Sequence, residues 1–396
     1  MTRTLRPVVL LLSLAIAAAA VLVLVVTPSR SQASVRPLGV AARMRSAARA
    51  SAPSISRYVP PVRHVFVINL ENKGYDKTWG PGSKAPYLAT TLRRKGVLLN
   101  AYHGTAHNSQ PNYVAQVSGQ GPNPDMQADC QVFSPFQGSG TEAPGQYRGV
   151  GCVFPRTVRN IGRQLTAHSL SWKGYMEGMS RACQHPAVGS QDPTQKATAT
   201  HAYAVRHNPF MYFRSIIDHP AYCRRHVVPL ARLRTDLERV RTTPHLTYIT
   251  PDLCHDGHDA PCANGEPGGL VSVNRFMRRW VPRILQSPAY RRNGMLVITA
   301  DEADSPQSDA SACCGDDGPT TNSPLPGISG FGGGTIGALV ISRWTRANTW
   351  SSTPYNHYSL LASLEEVFRL PKLGYAARAG RDRFGLDVYN NGWQLR

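Results

Sequence analysis

The sequence predicts an α/β fold with an open sheet whose strand ends share one acid-rich pocket. Four segments have one layout, an apolar run with strand character that ends abruptly in polar or acidic residues: 64–70 into Glu71-Asn72, 245–250 into Pro251-Asp252, 295–300 into Asp301-Glu302, and 336–342. In open α/β sheets ligands and catalytic groups gather beyond the carboxyl ends of the strands, so separate strand ends carrying carboxylates imply a common pocket. Carboxylate and amide oxygens suit a hard or borderline cation, which makes a metal-dependent hydrolase the first hypothesis. A hydrophobic fraction of 41% supports a sizeable core, and a charged fraction of 17% is low.

The elements follow in chain order. Residues 1–33 read as a targeting segment: Arg3 and Arg6 precede an apolar run over 7–26, and small and polar residues lead to Ala33. The run is a signal peptide if cleaved and is long enough to span a bilayer if retained, so the chain is expected to be exported, with membrane association through the N-terminus in the second case. Residues 34–61, rich in Ala, Ser, Arg and Pro, form a linker; 62–375 form the catalytic domain and 376–396 a tail. Within the domain, 85–95 has helical spacing with Leu88 and Leu92 on one face and stops at Gly96, and 97–102 reads as a strand. Pro111 suits the first turn of a helix continuing through Val117, with Ser109 just ahead of it. Free amides and the helix dipole there favour a phosphoryl group and a lowered hydroxyl pKa, while the plainer reading of Ser109 is an N-cap.

Later segments are read more blandly. Residues 172–179, with Tyr175 and Glu177, look like a buried edge, and the Gly, Pro and Ser-rich stretch 305–334 is expected to be an ordered loop over the site. Gly332-Gly333-Gly334 precedes a strand rather than a helix, so a turn is favoured over a phosphate cradle. A helix over 359–368 places Glu365-Glu366 on a solvated face. His168, His185, His219, His226 and His245 lie outside any motif and read as structural or surface histidines.

A formal charge of +20 implies attraction to anions such as phosphate esters, anionic headgroups or wall polymers. The basic residues are scattered without aromatic interleaving, so no specific nucleic acid partner is expected. Eight cysteines, an even number, agree with an oxidising compartment. A Cys254–Cys262 bridge would hold the His255-Asp256-Gly257-His258 loop; Cys130 with Cys152 and Cys183 with Cys223 are plausible by order, leaving Cys313 and Cys314, and the sequence leaves the connectivity open. No paired Cys-x-x-Cys spacing supports a thiolate zinc site.

Six segments in order then carry a resemblance: Glu71-Asn72-Lys73-Gly74-Tyr75-Asp76, Asn108-Ser109-Gln110-Pro111-Asn112, Arg206-His207-Asn208-Pro209-Phe210, the loop 251–259, Thr299-Ala300-Asp301-Glu302, and Tyr355-Asn356-His357-Tyr358-Ser359-Leu360-Leu361. Together they resemble the phosphoesterase family of bacterial phospholipases C and acid phosphatases, a branch of the alkaline-phosphatase-like superfamily. The resemblance implies a three-layer sandwich with a central, mostly parallel sheet flanked by helices. It implies that Glu71, Asn72, Asp301 and Glu302 hold a divalent metal ion (Ca, Mg, Mn, Zn or Fe). Ser109 matches the nucleophile that becomes transiently phosphorylated, and His207 and His258 match histidines near the phosphate. Asp256 orients His258 or binds metal, and Asn112 and His357 are substrate or second-metal candidates.

The departures set the expected substrate. Phospholipase-like members carry Arg-Ser-Phe where this chain has Lys73-Gly74-Tyr75, and Gly-Gly where it has Ala303-Asp304, which leans towards the acid-phosphatase-like members. Asp301-Glu302, where two-metal relatives have Asp-His, favours one metal. The expectation is an exported phosphomonoesterase acting on a phosphate-ester small molecule or a phospholipid headgroup. A phospholipase C or other phosphodiesterase on the same machinery is the second reading, and a non-catalytic basic cell-surface binding protein the third.

Overall fold

The computed structural model describes residues 59–391; the targeting segment and nearly all of the linker lie outside the described residues. The strands are β1 (His64–Leu70), β2 (Val97–Leu99), β3 (Tyr102–His103), β4 (Gln137–Glu142), β5 (Gln146–Val150), β6 (Trp172–Met176), β7 (Val227–Pro229), β8 (Leu246–Thr250), β9 (Gly294–Ala300), β10 (Ala338–Ser342), β11 (Thr349–Ser351) and β12 (Tyr355–Asn356). The helices are α1 (Tyr75–Trp79), α2 (Ser109–Ser118), α3 (Pro124–Gln127), α4 (Ile161–Ala167), α5 (Arg214–Ile217), α6 (Pro220–His226), α7 (Arg232–Asp236), α8 (Gly269–Gln286), α9 (Pro288–Asn293) and α10 (His357–Val367).

Eight strands form the central sheet in the order β11-β2-β10-β9-β1-β8-β6-β7. Only β10 runs against the rest, pairing antiparallel with both β9 and β2. The middle strands β1 and β9 are buried on both faces, as their unbroken apolar runs require. Register and contacts place a helical layer on each side. Val67 is the register partner of Tyr248, whose hydroxyl donates to Gln116 of α2 at 3.0 Å, whereas the preceding β1 residue, Phe66, points the other way and meets Tyr290 of α9. The mostly parallel three-layer α/β architecture is therefore borne out.

The differences from the sequence reading have local causes. The run 336–342 becomes β10, which is antiparallel, so its carboxyl end lies at the edge of the sheet opposite the pocket. The long loop after β9 returns directly from the carboxyl edge without a crossover helix, and a strand entered that way must run backwards. The helix expected over 85–95 is a π-type turn, Tyr87–Leu92, followed by a 3-10 turn, Arg93–Lys95, although Leu88 and Leu92 are buried and Gly96 ends it as expected. Glu365, assigned to a solvated face, is fully buried, and burial pushes its carboxyl up against the pull of Lys372. The expected tail packs instead: Phe384, Val388 and Tyr389 join the core, and Arg378 and Arg381 reach Asp316 in the long loop.

Helix α2 is the element that most affects function, since all ten of its residues are buried although half are polar. Asn108 takes extended φ and ψ ahead of it, and Gly119, at φ 67°, closes it in the left-handed conformation that glycine tolerates. Four disulfides fix the surrounding loops: Cys130–Cys152, Cys183–Cys223, Cys254–Cys262 and the adjacent pair Cys313–Cys314.

Candidate active site

Three strand ends and one helix end meet at the carboxyl edge of the sheet. β1 delivers Glu71 and Asn72, β9 delivers Asp301 and Glu302, the loop after β8 carries Asp256 and His258, and Ser109 opens α2. Backbone bonds tie them together, from Glu71 N to Asp256 O at 2.8 Å and from Asp301 N to Leu70 O at 3.0 Å. Ser109 Oγ donates to Glu71 Oε2 at 2.7 Å. The same carboxylate oxygen faces His207 Nε2 at 3.4 Å, and His207 Nδ1 lies 3.1 Å from Asp256 Oδ2. Ser109, Glu71, His207 and Asp256 thus form one line, with no member more than 2% exposed. Tyr113, one turn after Ser109, donates its hydroxyl to Glu71 Oε1 and stacks on the His207 ring with centroids 5.4 Å apart.

The electrostatics are those of crowded acids in a dry site. Burial, reinforced by Asp301 and Asp256, pushes Glu71 well above the usual carboxylate range. Burial likewise raises Asp256, and it brings Asp301 to about 6. Burial, then Arg206 and His258, hold His207 well below an ordinary histidine. Asn72 Oδ1 and Asp301 Oδ2 are buried without a hydrogen-bond donor, while Asp301 Oδ1 accepts the Asn72 amide at 3.0 Å. Buried oxygens left unpaired among like charges are costly unless a cation satisfies them, so Glu71, Asn72 and Asp301 fit a divalent metal.

The fourth proposed ligand, Glu302, has its Oε2 in the same state, buried without a hydrogen-bond donor, but aimed at His107. The Glu302 carboxylate meets His107 Nδ1, both groups being buried, and His107 Nε2 donates to Asp309 O at 2.9 Å. The metal-ligand type atoms that approach most closely here are those of Glu71, His207 and Asp256, within 4.8 Å of one another. Those contacts are largely mutual hydrogen bonds, so the unpaired oxygens of Asn72 and Asp301 mark the cation position better.

Three other sequence candidates serve the frame or the rim. The Asn112 side-chain oxygen accepts from Thr105 N, Thr105 Oγ1 and Ala106 N, and its nitrogen donates to Ala106 O and Asn108 O. It is therefore committed to shaping the 105–108 loop that delivers Ser109, rather than to substrate. His357 is buried with Nε2 2.6 Å from Asp301 O and Nδ1 3.1 Å from the Tyr102 hydroxyl. With both nitrogens engaged, and burial holding it near 4, it is a neutral prop for the Asp301 backbone and not a metal ligand. His258, a third exposed, takes the Asp256 carboxylate at its backbone amide (2.8 Å), while its ring Nδ1 lies 2.8 Å from Asp259 and its Nε2 3.2 Å from Arg206 Nη2. Asp256 therefore orients the ring of His207 and only the backbone of His258.

Sequence reasoning missed Tyr113, Arg206, His107 and Asp129. Tyr113 was recoverable from its four-residue spacing to Ser109, and Arg206 from its place beside His207; His107 and Asp129 depend on long-range packing that leaves no local pattern. The two departures at 74 and 304 turn out to touch. Gly74 N donates to Asp304 Oδ2 at 3.1 Å, and a Cβ at Gly74 would lie 2.9 Å from that oxygen, so glycine at 74 and aspartate at 304 belong together. A second cluster sits beside the site: His255 Nδ1 lies 3.0 Å from Glu177 Oε2 and 3.2 Å from Asp252 Oδ1.

The phosphoesterase family model matches residues 81–371. A phosphate-repressible acid phosphatase of Penicillium chrysogenum is 24% identical over 72% of this chain and 54% of its own length. A probable acid phosphatase of Kluyveromyces lactis is 25% identical over 82% and 64%. The chain thus spans between half and two thirds of the length of these fungal relatives. A phosphatidylinositol-3-phosphatase of Mycobacterium tuberculosis is 24% identical over 81% of this chain and 82% of that protein. Among solved structures, a protein in the alkaline phosphatase superfamily from Vibrio parahaemolyticus aligns with a TM-score of 0.46 at 10% identity, over 81% of this chain and 71% of that one. With a family model matching most of its length, this chain belongs to the phosphoesterase family.

Proposed function

We propose that the protein is an exported, metal-dependent phosphomonoesterase of acid-phosphatase type that uses Ser109 as its nucleophile. The observation that carries this is the Ser109 hydroxyl, aimed into a buried carboxylate cluster from the first turn of α2 and already donating to Glu71. Glu71 is placed to take the serine proton, and Tyr113 holds its other oxygen so that the acceptor points at Ser109. His207 Nε2 lies 3.4 Å from the Glu71 oxygen that takes the serine proton, and its ring is fixed by Asp256 on one side and Tyr113 on the other; it is placed to pass that proton from Glu71 to the leaving alkoxide. Amides at the head of α2 favour the incoming negative charge. Glu71, Asn72 and Asp301 would hold the divalent ion, which when bound supplies charge neutralisation at the phosphoryl group.

The acid phosphatase names of the relatives support the monoester reading, and the name of the mycobacterial relative supports a lipid-borne monoester as one substrate class within it. The test is turnover of p-nitrophenyl phosphate against bis(p-nitrophenyl) phosphate, together with elemental analysis of the purified protein. Faster monoester turnover that is lost on chelation and restored by one divalent ion per chain is expected. Faster diester turnover would move the protein to the phosphodiesterases.

A further inference from the structure

The head of α2 has an anion-binding arrangement that a side chain of the protein itself occupies. Asp129 Oδ1 accepts the Gln110 amide at 3.0 Å, and the carboxylate lies in hydrogen-bonding reach of the Ser109 amide. Its Oδ2 faces Arg206 Nε at 3.7 Å, beyond hydrogen-bond distance. Helix-terminal amides and a guanidinium are the donors that recognise phosphate.

The donors around Asp129 are under-used. Arg206 is 2% exposed, and its Nε has no hydrogen-bond acceptor. The Gln110 side chain, fully buried on the same turn, has neither polar atom paired. Unpaired buried donors are costly, and a charged one more so, so an arginine left in this state implies a further anion at that place. The rest of Arg206 is braced: Nη1 donates to Gln195 O at 3.1 Å, Nη2 meets His258 Nε2 at 3.2 Å, and Gln195 Nε2 in turn holds Asp129 O at 2.9 Å.

We propose that the Asp129 carboxylate is a resident anion in the cradle for the substrate's phosphoryl oxygens, competing with phosphate for Arg206 and for the amides that open α2. The backbone is suited to presenting it, since Asp129 and Cys130 both sit at positive φ (53° and 51°) and the Cys130–Cys152 bridge tethers them. Aspartate and asparagine tolerate that region better than most residues. The segment therefore stays in place while the carboxylate yields by side-chain rotation. Entering phosphate gains the arginine fork, and departing inorganic phosphate is displaced by a charge already at hand. The inference rests on the phosphoesterase reading and adds to it the residue that sets phosphate affinity.

The experiment is calorimetric titration of inorganic phosphate into the full chain, as purified and after metal removal, for wild type, Asp129→Asn, Asp129→Ser, Asp129→Glu and Arg206→Lys. Removing one negative charge a few ångströms from bound phosphate should tighten binding about tenfold in Asp129→Asn and Asp129→Ser, because a partly buried charge acts through a dielectric well below that of water. Asp129→Glu, which keeps the charge, should bind as wild type does, and Arg206→Lys, which loses the fork, should bind about tenfold more weakly. Phosphate affinity in either charge-removing variant equal to or weaker than that of folded wild type overturns the proposal. Turnover of p-nitrophenyl phosphate, measured alongside, separates the two readings. Unchanged phosphate affinity with intact turnover removes only the role of Asp129, whereas phosphate binding tightened as described without any ester turnover upholds that role and removes the phosphatase assignment.

Discussion

Tyr113 is the residue whose part in the site is least obvious and easiest to isolate. Its hydroxyl donates to a buried carboxylate, and its ring supports His207, so Tyr113→Phe keeps the packing and deletes one donor. A hydrogen bond to a charged buried group is worth about 1.5–3 kcal/mol, so the variant should lose roughly that much in urea unfolding and turn over more slowly with its metal content unchanged. Unchanged stability would mean that the tyrosine hydroxyl does not hold Glu71. The residues the sequence reveals most clearly, Glu71, Asn72, Ser109 and Asp301, are those placed by a strand end or a helix start, where local pattern fixes position. His357 and Asn112 occur in equally recognisable motifs, yet both are spent on backbone groups, because a motif records which residues are present and not which way their polar atoms point.

The loop after β8 shows how one element holds candidate site side chains in place. Asp256 and His258 lie inside the span closed by Cys254–Cys262, and His255 clamps that span to Glu177, just beyond β6. Hydrogen bonds to Asp252 and then Glu177 lift His255 to about 10, against an unfolded value near 6.5. A histidine raised on folding contributes stability that is complete below pH about 6.5 and is lost as the pH climbs through the folded value. The melting temperature of wild type should therefore exceed that of His255→Gln most at pH 6 and below, with the gap closing towards pH 10. A gap that widens with pH would contradict the imidazolium clamp. The strands of this region were legible because an apolar run of five to seven residues ending in a polar one has few alternatives. The direction of β10 was not, since an apolar run carries no record of which way it enters the sheet.

For the molecule as a whole, the disulfide framework fixes loops that have little regular structure. Four bridges pair all eight cysteines, and among them Cys130–Cys152 and Cys254–Cys262 flank the site from two sides. Alkylation of the folded protein without reductant should label none of the eight, and reduction should lower stability by about 2–5 kcal/mol for each of the longer loops opened. Thiols that react before reduction would show that a bridge is not formed. The open α/β sheet was legible from apolar runs that end in acids and amides, and the layered architecture from the family resemblance. The packing of 376–391 against the core was not, because Phe384, Val388 and Tyr389 are too few in a largely polar stretch to establish a period.

The proposed function makes Ser109 the group that takes the phosphoryl transfer. Replacing it with alanine removes the hydroxyl and leaves Glu71, Asn72 and Asp301 untouched, so Ser109→Ala should retain its metal while turnover of p-nitrophenyl phosphate falls by roughly 10³-fold or more. Acid-quenched wild type, digested and analysed by mass spectrometry during turnover, should carry phosphate on Ser109. An alanine variant that keeps more than about a tenth of wild-type turnover, with no phosphate on Ser109 in the quenched enzyme, would mean that water attacks the ester directly.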